Sequence, residues 1–244
     1  MTDTRTFIVI GASGGIGSAV TRTLAESANV LIAARREDRL ATLADELALS
    51  HAVVDATDYA QVNELTSLAV SKHGRLDGIV NCAGTILLKP AHLTSDDEFD
   101  KTIAANLKTA FNTVKAGARA MMSNGGAIVL CSSAVALTGL ANHEAIASAK
   151  AGITGLARAA SATYASRGIR VNCVAPGLTR TPLAEPIIAN EAAEKASVAM
   201  HALGRLGEPS DVASAICWLL DPANNWVTGQ VIGVDGGLGY VRAR

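Results

Sequence analysis

Apolar and polar positions along the chain follow two alternating rhythms. Short runs rich in β-branched residues, TFIVI (6–10), NVLIAA (29–34), HAVV (51–54), DGIVN (77–81), AIVLCS (127–132), IRVNCV (169–174) and QVIGV (230–234), predict seven strands. They are apolar nearly throughout instead of alternating, the pattern of strands covered on both faces of a parallel sheet. Between them lie segments with apolar residues at helical spacing, among them 16–27, 38–48, 58–73, 96–123 and 143–166. This order predicts an α/β fold: a doubly wound, seven-stranded parallel sheet with helices on both faces. No linker, low-complexity tract or internal repeat interrupts the rhythm, so residues 1–244 read as one domain.

Composition narrows the picture. The 244 residues carry 21 Lys and Arg against 22 Asp and Glu, a formal charge of −1. That balance offers no attraction for nucleic acid or an anionic membrane. No aliphatic run approaches the roughly 18–20 residues of a membrane span. The start, MTDTRTFIVIGAS, enters a strand-like run at once and leaves no room for a signal peptide. Cys82, Cys131, Cys173 and Cys217 are widely spaced in apolar settings with no CxxC pair, so they read as buried thiols and not as disulfides or a zinc site. A soluble cytoplasmic protein without metal is the expectation.

The first candidate chemistry is GASGGIG (11–17), which follows the first strand directly and opens the first helix. Glycines there let the backbone turn tightly and approach a pyrophosphate resting on the helix N-terminus. Gly11, Ser13, Gly15, Ile16 and Gly17 are the candidate contacts. At the end of the second strand, an acidic residue would hold a ribose 2′-hydroxyl, but the sequence there is AARRE, with Arg35 and Arg36. A guanidinium pairs with a 2′-phosphate that a carboxylate would repel. The loop therefore reads as a site for NADP(H) in preference to NAD(H).

Taken together these residues resemble the short-chain dehydrogenase/reductase family. The spacing of Gly11, Gly15 and Gly17 is similar to that family's glycine motif, DATD (55–58) to its adenine-contacting turn, and NCAG (81–84) to its NNAG. AANLKTAF bears Asn106, and IVLCSSA bears the serine position, which its spacing to Lys150 sets at Ser133 and not Ser132. GIRVNCVAPGLTRT resembles the stretch whose Pro-Gly turn and threonines hold the nicotinamide side. The resemblance implies cofactor contacts from Asp55, Ala56, Cys82, Ala83, Gly84, Lys150, Pro176, Gly177, Thr179 and Thr181. It also implies a small-molecule carbonyl or alcohol substrate under a mobile helical lid, about 178–206, and a homo-oligomer, most often a tetramer. Two apolar surfaces offer themselves for packing between copies: one face of the helix over 143–166 and the C-terminal segment WVTGQVIGVDGG.

The chain departs from the family at YxxxK. Lys150 matches, but Ile146 stands at the tyrosine position. In the family the serine polarises the carbonyl, the tyrosine gives the proton, the lysine lowers the phenol pKa and binds ribose, and the asparagine anchors a water chain. A hydrocarbon gives no proton at any pH, which forfeits roughly 10²–10⁴ in rate, about 3–5 kcal/mol. His143, three residues earlier, shares the helical face if the helix has begun there, and its imidazole titrates near neutrality. Against that, it can equally sit at the helix start facing solvent, with Asn142 as N-cap. Of the three tyrosines, Tyr164 lies about 27 Å along the same helix, and Tyr59 and Tyr240 are far in sequence. Three readings follow: an NADP(H)-dependent oxidoreductase with altered proton delivery, a catalytically silent NADP-binding partner or sensor, and a non-redox reuse of the pocket. Retention of the glycine loop speaks against the last.

Overall fold

The computed structural model describes residues 4–241; residues 1–3, on which part of the leader reading falls, lie outside them. The strands are β1 (Thr6–Ile10), β2 (Asn29–Ala34), β3 (Ser50–Val53), β4 (Gly78–Asn81), β5 (Gly126–Cys131), β6 (Ile169–Pro176) and β7 (Val231–Val234). The helices are α1 (Gly15–Ala25), α2 (Glu37–Leu47), α3 (Tyr59–His73), α4 (Asp96–Ile103), α5 (Thr109–Met121), α6 (Glu144–Tyr164), α7 (Glu191–Ala199) and α8 (Pro209–Leu220). All seven strands form one parallel sheet in the order β3-β2-β1-β4-β5-β6-β7. The expected α/β fold and its seven strands are present.

Alternate residues of each inner strand serve opposite faces. Ile8, Leu31, Ile79, Ile128 and Val171 pack with residues of α3, α5 and α6, whereas Val9, Ile32, Val80, Val129 and Val174 pack with residues of α1, α2 and α8. Each such side chain, fully buried, contributes roughly 1.5–3 kcal/mol of transfer free energy. The chain order reverses between β1 and β4, and a crevice opens there at the carboxyl ends of the strands, the position where open α/β sheets bind ligands. No helix among the described residues is long and apolar enough to cross a membrane.

Three local expectations need correction. The third strand starts at Ser50 and has alternating exposure, with Val53 49% exposed, because β3 is an edge strand with only β2 beside it. The stretch 96–123 is not one regular helix. A capping box of Ser95 and Glu98 starts α4, and a π-helical turn over Ala104–Lys108 separates it from α5. Finally, α6 begins at Glu144, its N-cap is His143 without a side-chain cap bond, and Asn142 is left-handed at φ 65°.

Candidate active site

The crevice is a cleft of about 580 Å³. One wall is the turn from β1 into α1, where Gly11, Ser13, Gly14, Gly15, Ile16 and Gly17 line it. Gly14 is the N-cap of α1, makes no side-chain cap bond, and no acid stands in the first turn. The first-turn N–H groups and the positive end of the helix dipole thus face the cleft without a competing carboxylate. Glycine is obligatory here for space. A Cβ on Gly17 would lie 2.3 Å from the Gly11 carbonyl oxygen, and one on Gly15 would lie 2.7 Å from Thr181 Cγ2.

The next wall comes from the ends of β2 and β3. Arg35 and Arg36 line the cleft, both exposed, and neither takes part in the ion pairs of the described residues. Asp55, Ala56 and Thr57 follow. The Asp55 carboxylate accepts the Thr57 backbone N–H and hydroxyl, each at 2.9 Å. The Thr57 backbone bond leads in holding Asp55 below its ordinary range, with the hydroxyl, Arg35 and Lys108 adding to it. Asn112 Nδ2 donates to the Ala56 carbonyl at 3.0 Å and so fixes this segment from α5.

The third wall, Cys82, Ala83 and Gly84, leaves the end of β4. Asn81 Oδ1 accepts the Ala83 N–H at 2.8 Å, and Asn81 Nδ2 donates to Thr109 Oγ1 at 3.2 Å. Gly84 is a meeting point. A Cβ on it would stand 2.7 Å from Asn106 Oδ1 and 3.3 Å from Lys150 Nζ. Asn106 is fully buried in the π-helical turn; its Nδ2 donates to the Thr102 carbonyl at 2.9 Å and to Thr85 Oγ1 at 3.2 Å. Lys150 Nζ donates to the Cys131 carbonyl at 3.0 Å. Burial pulls this ammonium below the ordinary lysine range.

Ser132 and Ser133 divide their work. The Ser132 hydroxyl is buried and donates to the Lys150 carbonyl at 2.8 Å, pinning α6 to the end of β5. Ser133 is half-buried, and its Oγ accepts the Val135 N–H at 3.4 Å. Ile146 is buried, one turn before Lys150 on α6. His143 precedes the helix, and its Nδ1 lies 2.7 Å from the Ala141 carbonyl, which draws the ring back along the loop.

Of the residues read from sequence, Gly11, Ser13, Gly15, Ile16, Gly17, Arg35, Arg36, Asp55, Ala56, Cys82, Ala83, Gly84 and Thr181 line the cleft. Pro176, Gly177 and Thr179 do not, and neither do Asn106, Ser133, His143, Ile146 and Lys150. Thr179 is buried and bridged to Gly207, and a Cβ on Gly177 would meet His201 Nε2 at 2.7 Å. Gly14, Thr57, Thr85, Pro182 and Leu183 line it as well and were not singled out. Gly14 and Thr57 sit inside the quoted motifs GASGGIG and DATD, so a stricter reading of those motifs could have named them.

A doubly wound parallel sheet with an uncapped glycine turn at its switch point defines a nucleotide-binding α/β protein. A family model described as Enoyl-(Acyl carrier protein) reductase matches residues 11–239, and the chain belongs to the short-chain dehydrogenase/reductase family of oxidoreductases. It is 35% identical over 240 residues to a 3-oxoacyl-(acyl-carrier-protein) reductase FabG of Thermotoga maritima, covering 95% of this chain and 96% of that one. A short-chain dehydrogenase/reductase of Mycobacterium ulcerans superposes with a TM-score of 0.93 at 32% identity, over 98% of this chain and 91% of that one. An actinorhodin polyketide ketoreductase solved with NADPH gives 0.93 at 28% identity, over 99% of both chains.

Proposed function

We propose that the chain is an NADP(H)-dependent oxidoreductase acting on a carbonyl or alcohol substrate, with proton delivery that does not use a tyrosine. The observation that carries this reading is the uncapped glycine turn of α1 with, at the next wall, two arginines that join none of the ion pairs among the described residues. Such a cradle fits a dinucleotide bearing a 2′-phosphate: first-turn N–H groups for the pyrophosphate, Arg35 and Arg36 for the phosphate, Asp55 and Ala56 for the adenine end. When bound, NADP(H) supplies or accepts a hydride. This chain's residues do the rest. Lys150, held by the Cys131 carbonyl, positions the ribose, Ser133 polarises the substrate oxygen, and Asn106 keeps Gly84 and Thr85 in place. The proton comes from Ser133, His143 or water, because Ile146 offers none. The FabG and ketoreductase relatives support a carbonyl substrate.

The cofactor choice is tested at Arg35. The wild type should bind NADPH at least tenfold more tightly than NADH, since each charge-assisted bond to the 2′-phosphate contributes about 1.5–3 kcal/mol. Arg35→Asp should reverse the order. Equal wild-type dissociation constants would sink the claim.

The buried hydrocarbon at Ile146 favours a second reading, a silent NADP-binding partner or sensor. NADPH oxidation with a panel of ketones, aldehydes and quinones, run beside a cofactor titration, separates the two: binding without oxidation supports the sensor.

We also propose a homo-oligomer, of tetrameric form by family resemblance. The outward face of α6 carries small residues, whereas Phe99, Phe111, Trp218 and Trp226 are exposed large apolar groups, Trp226 to 97%. Phe99 and Phe111 stand on α4 and α5, and Trp218 and Trp226 on α8 and the segment after it, so other copies could cover them in separate places. Sedimentation at micromolar protein should give a species heavier than the 24.9 kDa monomer; a clean monomer refutes it.

A further inference from the structure

Strands β4 and β5 are parallel neighbours with Asn81 opposite Leu130. Cys82, the first residue beyond β4, and Cys131, the last of β5, therefore lie side by side at the strand ends, and their Sγ atoms lie 3.8 Å apart. Adjacent strands run roughly 4.7–4.9 Å apart, inside the Cα separation of about 4.4–6.8 Å that a disulfide spans. Forming the bond asks the sulfurs to close by about 1.8 Å, to the usual S–S length near 2.05 Å. Cys82 lines the cleft, so a small oxidant reaches the pair from the nucleotide side.

We propose that Cys82 and Cys131 form a dithiol oxidation site whose disulfide loosens the nucleotide cleft. The site's second half is what the two residues touch. Cys82 N donates to the Ile10 carbonyl at 2.8 Å, and a Cβ on Gly11 would lie 2.7 Å from the Cys82 carbonyl carbon and 2.6 Å from Ala83 N. The glycine turn thus rests directly on the Cys82 backbone. On the other side, the Cys131 carbonyl holds Lys150 Nζ. A contraction between the two strand ends acts on the pyrophosphate turn and on the lysine together.

The chemistry of the pair is asymmetric. The Cys82 thiol, followed by the nearby Lys150 ammonium, draws Cys131 below the ordinary thiol range, while Cys82 is pushed well above it. Cys131 is the nucleophile and Cys82 keeps its proton. With hydrogen peroxide as oxidant, the Cys131 thiolate attacks one oxygen, the S–O bond forms as the O–O bond breaks, and hydroxide leaves and takes a solvent proton. The Cys82 sulfur then attacks Cys131 Sγ, the S–S bond forms as the S–O bond breaks, and the Cys82 proton leaves with hydroxide as water. Two thiols lose two electrons, and peroxide becomes two waters.

The consequence for binding rests on the cofactor reading above; the disulfide itself does not. The experiment treats reduced, full-length protein with hydrogen peroxide, with and without saturating NADP⁺. Remaining thiols are then alkylated, peptides are mapped by mass spectrometry, and NADPH affinity is titrated before and after. A Cys82–Cys131 linked peptide is expected, with NADPH affinity at least tenfold weaker and restored by dithiothreitol. NADP⁺ should slow the cross-link at least tenfold. Peroxide should leave the affinity of Cys131→Ser where it was beforehand, whereas Cys217→Ser should respond as the wild type does. No linked peptide, a Cys82–Cys217 link in its place, or a cross-linked protein that binds NADPH as the reduced one does would overturn the proposal. If reduced protein fails to bind NADPH at all, the cofactor reading falls, and the peptide map still decides the disulfide.

Discussion

Gly17→Ala should fold and yet bind NADPH at least a hundredfold more weakly than the wild type, a loss of about 2.7 kcal/mol. The added methyl would lie 2.3 Å from the Gly11 oxygen, 2.8 Å from the Gly11 carbonyl carbon and 2.9 Å from Ala12 Cα. All three are backbone atoms, so no side-chain rotation relieves the contact. The turn over 11–14 must move away from the first turn of α1, and the N–H groups at its start then point off the pyrophosphate. Charge-assisted bonds contribute roughly 1.5–3 kcal/mol each, so misaiming two of them accounts for the loss. Overpacking of this kind costs about 1–3 kcal/mol of stability, which leaves a domain of this size folded. Gly155→Ala is the control. It lies inside α6 with nothing within 4 Å of its added Cβ, so it should be neutral or stabilising by about 1 kcal/mol and should leave NADPH affinity alone. Wild-type affinity in Gly17→Ala would mean that the glycine turn is not the phosphate cradle.

Gly17 was legible because steric exclusion at a strand-to-helix turn leaves a local mark: glycines at fixed spacing between an apolar run and a helical period. The same holds for the strands of the sheet interior, whose burial on both faces makes them apolar throughout, and β1 and β2 match their expected spans residue for residue. Legibility fails where structure depends on neighbours distant in sequence. The half-exposed β3 follows from its edge position, which only the strand order determines. The π-helical turn that seats Asn106 depends on its bonds to Thr85 and Thr102 and leaves no periodic trace. Buried Asn81 and Asn112, which hold the Cys82–Gly84 and Ala56 walls, carry their meaning in partners 28 and 56 residues away. The Cys82–Cys131 pair, 49 residues apart, becomes visible only through the β4–β5 register, where the sequence suggested isolated thiols. Thr179 and Thr181 differ by two positions, yet one faces the bridge to Gly207 and the other the cleft, a distinction made by the path of the segment after β6.

Ile146→Tyr should raise ketone reduction at least tenfold while NADPH affinity changes little. The position is buried and lies on α6 exactly four residues before Lys150, so a phenol there stands one helical turn from an ammonium. An ordinary phenol, with a pKa of about 10, is a poor proton donor near neutrality, and a cation nearby lowers that value. Restoring a positioned general acid is worth roughly 10²–10⁴ in rate; the lower expectation of tenfold allows for overpacking, since the ring replaces a smaller side chain in a packed setting at about 1–3 kcal/mol. The bond from Lys150 Nζ to the Cys131 carbonyl does not involve residue 146, so the ribose contact proposed for Lys150 should persist. Two further measurements make the result decisive. If His143 already delivers the proton, His143→Ala should abolish the native activity and the tyrosine variant should gain little, because a second donor adds nothing once proton transfer is no longer limiting. If the wild type turns over nothing and Ile146→Tyr folds, binds NADPH and still reduces nothing, the oxidoreductase reading is refuted and the binding-partner reading stands. A rise in rate at unchanged NADPH affinity would show that the pocket is complete except for its proton, with Ser133, Asn106 and Lys150 already in working order around a single hydrocarbon.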